Sequence, residues 1–379
     1  MKLTTAGESH GKALVAIIEG LPAHLTIDTD KINVDLSLRQ DGFGRGGRQK
    51  IERDKVEILT GVRNRQTLGS PVTLCIYNKD FENWSSAMSS DACDEMAMHK
   101  KRLTKVRPGH ADLTGMLKYD QQDARNVLER ASARETAIRV AAGSVFKQFL
   151  SVLGIEITGY VKEICGIKDG GMYAFNQLLD AKNTLTGMLD SDLDKKAVEK
   201  IKELKAAGDT AGGVAEIRVK GLKSGFGSVM TYEEKLDACF AKELMSIQAV
   251  KGVEVGAGFD VAHVSGKHIH DQIFYEESKG YYRTTNRAGG IEGGMSNGEE
   301  IVLRVAMKPI PTLMQGLQTI DMESKQQAVA ASERSDVCAV FALERIAEAA
   351  VARVLVDAVL KRLGGDTMEQ VWQRYQQLP

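Results

Sequence analysis

The chain has 379 residues, 43% of them hydrophobic, and its 50 basic and 51 acidic side chains leave a formal net charge of -1. That length and apolar content support a large core in one big domain or two to three ordinary ones; the near-neutral balance lacks the basic excess of a nucleic-acid binder. Five scattered cysteines with no CxxC pair argue against a disulfide framework or a structural zinc site. No apolar leader follows Met1 and no run reaches the roughly 18–20 apolar residues of a membrane span, so a cytoplasmic protein with no membrane contact is expected.

In chain order, Ala13–Glu19 is predicted to be a strand closed by Gly20-Leu21-Pro22, and Asp28 to cap a helix running to about Arg39. Gly42–Gly47 is a glycine-arginine loop, followed by strands at Val56–Thr60 and Val72–Tyr77. The polar stretch from Asp80 to Lys105 is long for a loop and reads as a lid or binding segment. Ser132-Ala133-Arg134-Glu135 has the form of a capping box, with Ile138, Ala142, Val145 and Phe149 at helical spacing behind it and Gly154 as the stop. Ile155–Ile164 and Gly213–Val219 alternate as strands do, and residues near 190–206 form a solvated lysine-rich helix. Ile301–Met307 is a strand running into Lys308–Thr312, and an amphipathic helix fills most of Val337–Leu363. Strands and helices mix without a βαβ rhythm, which predicts a single α+β unit.

Two short motifs mislead. Gly42–Gly47 matches GxGxxG, but a dinucleotide loop needs a strand before it and a helix after it, and here a helix precedes it. Gly7–Gly11 matches GxSxG, yet only six residues stand ahead of it and a strand follows, whereas a nucleophile elbow leads into a helix. His268-Ile269-His270-Asp271 suggests metal ligands but has no third partner placed, and no metal is expected. Cys338 reads as a small buried hydrophobe, and Met88, Met96 and Met98 as part of a mobile loop or packing surface.

What remains is a set of cations in glycine-rich or turn contexts: His10, Arg39, Arg45, Arg48, Arg107, His110, Arg134, Lys308 and Arg334. Guanidinium forks match carboxylate and phosphate oxygens, and each charge-assisted bond contributes about 1.5–3 kcal/mol. Gathered without an anion these groups would repel one another, so their convergence would imply a multiply charged ligand; singly, each reads as well as a solvated surface residue. In Arg107–Asp112, Pro108 and Gly109 fix a turn that sets His110 just before a helix, where it either serves an anion or a proton transfer or simply caps the helix.

GESHG at 7–11, RPGHAD at 107–112, RASARETAIRVAAG at 130–143, MSIQAVKGVE at 245–254, MKPIPT at 307–312 and RSDVCAV at 334–340 together resemble chorismate synthase, in the family's order, across roughly residues 1–365. The resemblance implies a β-α-β sandwich with helices between antiparallel sheets, one catalytic domain over residues 1–365 with a C-terminal tail at 366–379, and a homotetramer. It implies conversion of 5-enolpyruvylshikimate 3-phosphate to chorismate and phosphate by anti elimination, the last common step of the shikimate pathway to the aromatic amino acids. Reduced FMN is required in the family although no net oxidation occurs, and NADPH enters only as a reductant, with Arg39 and Arg45 at the matching positions.

By position, Arg39, Arg45, Arg48, Arg107, Arg134 and Arg334 resemble the family's substrate anchors. His10 resembles its donor to the departing phosphate, His110 the group at the flavin's pyrimidine edge, and Asp336 its base, a role compatible with capping a helix at about Val337. Arg130, Ala131, Ser132, Gln248, Ala249, Gly293, Lys308, Pro309, Ile310, Pro311, Thr312 and Arg334 match flavin-contacting positions, with Lys308 and the Gly289–Gly294 backbone suited to the flavin phosphate. Phe341 stands where the family usually has proline, Ala131 where serine is common, and Val127-Leu128 where a glycine pair is frequent. A nicotinamide oxidoreductase using Gly42–Gly47 is the alternative enzyme reading, and a non-catalytic anion- or flavin-binding protein the alternative should Phe341 spoil the site.

Overall fold

Period-two burial builds two antiparallel sheets. The first contains β1 (Lys2–Ala6), β2 (Ala13–Glu19), β3 (Glu57–Thr60) and β4 (Val72–Tyr77) in the order β1-β2-β4-β3. Leu14, Ala16 and Ile18 of β2 and Leu74 and Ile76 of β4 point inward and are fully buried. The second contains β5 (Glu156–Ile164), β6 (Ile167–Lys168), β7 (Gly213–Lys220), β8 (Val250–Val255) and β9 (Ile301–Met307) in the order β8-β9-β7-β5-β6. Along β9, Ile301, Leu303, Val305 and Met307 face the core while the residues between them are half-buried. This computed structural model describes residues 1–46, 53–331 and 335–379; Arg48 and Arg334 lie outside the described residues.

The α-helices longer than four residues are α1 (Thr29–Gln40), α2 (Glu95–Lys101), α3 (Asp112–Tyr119), α4 (Arg125–Ala131), α5 (Thr136–Val152), α6 (Ser191–Ala206), α7 (Leu236–Met245), α8 (Val340–Leu363) and α9 (Met368–Gln376) among the described residues. Helix α5 packs on β2 and β4 of the first sheet, α8 packs on β5, β7 and β9 of the second, and α1 packs on both helices. The helices therefore fill the space between the sheets, the α+β, β-α-β sandwich expected. Where α5 crosses α8 the backbones approach so closely that a Cβ on Gly143 would lie 2.2 Å from Ala349 Cβ.

Several elements differ from expectation for identifiable reasons. Helix α8 begins at Val340 and is buried on most faces, not on one stripe, because the second sheet and helices α1, α5 and α7 surround it. The Ser132 box is half-formed: its hydroxyl accepts from Arg134 N at 3.2 Å, but only a 3-10 turn (Ala133–Glu135) follows, and Glu135 turns away to accept from Thr5 Oγ1 at 2.8 Å. The stretch from Asp80 to Lys105 is not bare loop; it holds a 3-10 turn at Lys79–Asn83 and α2, with Met96 exposed at its surface. Residues 366–379 carry α9, which docks on the body through fully buried Val371 and a hydrogen bond from Tyr375 Oη to the Gly221 carbonyl at 2.8 Å. Among the described residues no helix is long and apolar enough to cross a membrane.

Candidate active site

The loop between β1 and β2 carries His10. Its imidazole Nδ1 lies 2.9 and 3.0 Å from the two oxygens of Glu129, and its backbone N–H donates to Glu129 Oε2 at 2.8 Å. Trp84 stacks on the ring, with centroids 4.0 Å apart and planes 23° from parallel. Ser9 N–H reaches back to the Glu129 carbonyl, and Ser132 Oγ lies 3.3 Å from Ser9 Oγ, so α4 and the turn after it clamp the GESHG loop. Arg130 adds bonds to the carbonyls of Gly7 and Thr5, each at 3.1 Å.

One turn further on, Arg134 is buried and donates through Nε and Nη2 to Asn78 Oδ1 at 3.0 and 2.9 Å, and through Nη1 to Asp54 at 2.7 Å. Asn78 in turn donates to the carbonyls of Glu8 and Gly11 and so ties this arginine to the His10 loop. Arg39, at the end of α1, donates to Thr136 Oγ1 and the Ala133 carbonyl, with Asp54 3.7 Å away. Burial lowers Arg39 to about 9 against the pull of Asp54, and the charges of Arg134 and Arg45 push the same way. Arg39, Arg134 and Arg45 thus form a cationic wall whose charge an incoming anion would stabilise.

Arg45 and Asp336 meet on the adjoining side: Arg45 Nη1 lies 3.2 Å from Asp336 Oδ2, and Gly46 N–H donates to Asp336 Oδ1 at 2.5 Å. Asp336 therefore does not cap the helix. The Gly42–Gly46 loop is seated by Phe341, since a Cβ at Gly42 would come within 2.9 Å of that side chain. Phe341 in this chain fills the floor of the loop and leaves Arg45 in place. A cleft of about 420 Å³ opens here, lined by Ser37, Gln40, Asp41, Gly42, Arg45, Gly46 and Arg53. A larger cavity of about 930 Å³, between Met1, α7 and α8, contains none of the expected site residues, whereas the smaller cleft is lined by Arg45.

The RPGHAD turn is held by its own carboxylate and by the Lys308–Thr312 segment. Asp112 accepts from Arg107 Nε at 2.8 Å and from its backbone N–H at 3.1 Å, and its other oxygen lies 2.5 Å from His110 Nδ1. Burial alone would push Asp112 up; the bonds from His110 and Arg107 hold it well below the usual carboxylate range. Arg107 Nη1 reaches Thr312 Oγ1 at 3.0 Å, and Lys308 Nζ donates to the Gly109 carbonyl, which locks the turn to the Lys308–Thr312 segment. Ile310 O accepts from Thr210, and Ala211 N–H donates to Val337 O, so the segments bearing Lys308 and Asp336 rest on one support.

The strand-end residues Gln248 and Ala249 complete the arrangement. Ala249 holds a φ of +68°, a left-handed conformation rare for a residue with a Cβ, and its carbonyl accepts from Lys308 N–H at 3.0 Å. Gln248 Nε2 lies 3.4 Å from Glu135, while Gln248 Oε1 and Arg45 Nε are buried without a partner among the described residues. Such atoms mark where a bound group would supply hydrogen bonds. Gly293 stands at the tip of a hairpin (Ile291–Glu292, Met295–Ser296), where a Cβ would lie 3.7 Å from Val229. In the 268–271 segment, Asp271 accepts from Thr285 and from the Arg287 and Ala288 amides.

Sequence reasoning missed Glu129, Asp54, Asn78, Trp84 and Asp112 as site groups. Only Glu129 left a local trace, the (i, i+4) pair with Arg125, whose Nη1 donates to it at 3.2 Å. Ala131 closes α4, and Val127 and Leu128 pack that helix on α3, Val127 against Gly115 and Leu128 in a small core with Met116.

Two imidazoles, each backed at Nδ1 by a buried carboxylate, face a cluster of guanidinium groups and a further carboxylate in an α+β sandwich. That combination defines an acid–base enzyme for a small polyanion. The sequence model of the chorismate synthase family matches residues 1–360. Chorismate synthases of Alkaliphilus metalliredigens and Geobacter sulfurreducens are each 50% identical, over 378 residues (99% of both chains) and over 387 aligned residues (99% of this chain, 98% of the relative). A solved chorismate synthase structure superposes with a TM-score of 0.78 at 39% identity, covering 99% of this chain and 96% of that one. The chain belongs to the chorismate synthase family. It is accordingly a lyase of aromatic amino-acid biosynthesis.

Proposed function

We propose that this chain performs the anti elimination of phosphate from 5-enolpyruvylshikimate 3-phosphate with reduced FMN bound, as one catalytic domain within a cytoplasmic homotetramer. The observation that supports the reading is two linked sets of cations: Arg39, Arg45 and Arg134 gathered about Asp54 and Asp336, with Asn78 tying Arg134 to the His10 loop, and Arg107 with His110 on Asp112. A substrate with two carboxylates and a phosphate suits that charge, and Arg45, whose Nε has no partner among the described residues, is the anchor best placed to take a carboxylate or phosphate oxygen. Arg48 and Arg334 join this set by their place in the family's motifs.

The residues fit the flavin as well: Lys308 offers an ammonium, Gln248 Oε1 an acceptor without a partner among the described residues, Ser132 a hydroxyl beside the His10 loop, and Thr312 and Ala249 hold the RPGHAD turn and the Lys308 segment. When bound, reduced FMN supplies the electron density that eases phosphate departure and a destination for the ring hydrogen. His10, as the imidazolium, gives its Nε2 proton to the departing phosphate oxygen, and the guanidinium groups stabilise the charge that develops there. His110 is fixed by Asp112 with Nδ1 as its proton-bearing nitrogen, so it presents Nε2 to a cofactor edge. Asp336 is the proton acceptor, held in place by Arg45 and the Gly46 amide.

Anaerobic protein with chemically reduced FMN should release phosphate and chorismate in equal amounts from the enolpyruvyl substrate, with no net oxidation of added NADPH. Intact flavin binding without turnover would overturn the reading. Arg45→Ala should raise KM for the substrate by about 10-fold or more, equivalent to one lost charge-assisted contact, and an unaltered substrate affinity would remove Arg45 from the anchoring set.

A further inference from the structure

Glu129 sits on α4, and its side chain is 2% exposed, buried under the His10 loop. It accepts from the His10 main chain and from the ring, so the backbone and the side chain of the same residue are fixed by one carboxylate. Its own position is set from behind: Arg125 Nη1 donates to Oε1 at 3.2 Å, and Arg125 Nε is tied to the Lys101 carbonyl at 3.1 Å. Burial by itself would push Glu129 up; the hydrogen bonds from His10 and the charge of Arg125 more than reverse this and hold it below its ordinary range.

The remaining freedom of the imidazole is rotation about its own bond to Cβ, and Trp84 removes it. The indole lies nearly parallel to the imidazole, 4.0 Å away, with Lys101 Nζ 3.8 Å and the Arg125 guanidinium 5.0 Å from the same ring. The Trp84 Nε1–H is held by Asp80 at 3.2 Å. The ring plane and the identity of the nitrogen that faces Glu129 are therefore both determined.

We propose that Glu129 is the positioning residue of His10: it keeps the proton on Nδ1 in every protonation state, so that Nε2 is the nitrogen that gains and loses the catalytic proton. A carboxylate opposite Nδ1 selects the tautomer of the neutral ring and stabilises the cation. Neutral His10 in this arrangement has a lone pair on Nε2 and cannot donate there; only the imidazolium can. In the elimination the phosphate oxygen takes the C–O bonding pair and the Nε2 proton, and Glu129 stays a carboxylate throughout. The proposal rests on the reading of His10 as donor to the departing phosphate, and its test separates the two.

The test is a double-substitution cycle with flavin-reconstituted protein. Glu129→Gln should lower kcat by about 10- to 100-fold, the range seen when the carboxylate behind a working imidazole is removed, with KM for the substrate changed by less than about 3-fold. In a His10→Ala background the same substitution should add less than about 2-fold, since a residue acting through another has nothing left to act on. Equal losses in both backgrounds would overturn the proposal and mark Glu129 as structural support. Full activity of His10→Ala would instead remove His10 from the mechanism. Glu129→Asp, which keeps the charge, should retain more activity than Glu129→Gln and serves if the latter fails to fold.

A second measurement needs no ligand. In nitrogen-15 spectra, with the His10 signals assigned by their loss in His10→Ala, neutral His10 should carry its proton on Nδ1. A dominant Nε2-protonated tautomer would refute the proposal whatever the kinetics.

Discussion

A carboxylate just ahead of a long helix ordinarily caps it, yet Asp336 turns back to the Gly46 amide and Arg45, and α8 starts without a side-chain cap at Ala339. Asp336→Asn keeps an oxygen for the Gly46 N–H and loses the basicity. The expected outcome is flavin binding largely intact in a spectral titration and anaerobic turnover reduced by about 10²- to 10⁴-fold, the usual contribution of a positioned acid or base. Unchanged turnover would remove Asp336 as the base. At this scale the motifs exposed the cations and histidines, because their residue types and spacings are local. The groups that hold them were not legible: Glu129 lies 119 positions from His10, and Arg134 reaches Asn78 and Asp54 across 56 and 80 positions. Which carboxylate meets which cation is a property of packing.

Among the elements, α8 departs most from its sequence pattern. It carries Glu344, Arg345 and Glu348 inside the sandwich, where Glu348 binds Lys147 of α5 at 3.1 Å and Arg345 at 3.0 Å. Arg345 Nε also comes within 2.7 Å of Glu344, but out of line for a hydrogen bond. Burial pushes Glu344 well above the usual carboxylate range, opposed by Arg345 and reinforced by the charge of Glu348. Burial would do the same to Glu348, but Lys147 and Arg345 hold it below. Glu344 thus keeps its proton to higher pH in the fold than in the unfolded chain. The unfolded chain loses that proton first, near the ordinary value of 4.5, so stability falls as pH rises above it until the folded group titrates. Glu344→Gln abolishes this loss, and its stability relative to the unsubstituted chain should increase between about pH 5 and pH 8 in urea titrations. A difference that does not change with pH would mean Glu344 is ionised in the fold. Glu348→Gln, by contrast, takes the hydrogen-bonded carboxylate from buried Arg345 and leaves Lys147 with Asp35 alone, and should cost about 3–5 kcal/mol. The strands were easier to read than this helix: Ile301–Met307 and Val72–Tyr77 fell where alternation put them, since one face of each is buried and the other is not.

For the molecule as a whole, the spacing of the two sheets is set by helices that nearly touch at Gly143 and Ala349. Gly143→Ala puts a methyl group where only backbone fits, and overpacking of this kind costs about 1–3 kcal/mol, read as a lower thermal midpoint. The sequence by itself determined the elements, their order and the chemical types gathered in the motifs, because helix caps, turns and alternation act over a few neighbouring residues. Only the tertiary structure decided that Asn78 ties Arg134 to the His10 loop, that Lys308 and Thr312 hold the RPGHAD turn, and that Asp336 serves Arg45 and not a helix. Those outcomes depend on how the sheets close over α1, α5 and α8, and long-range packing leaves no period in the chain to read.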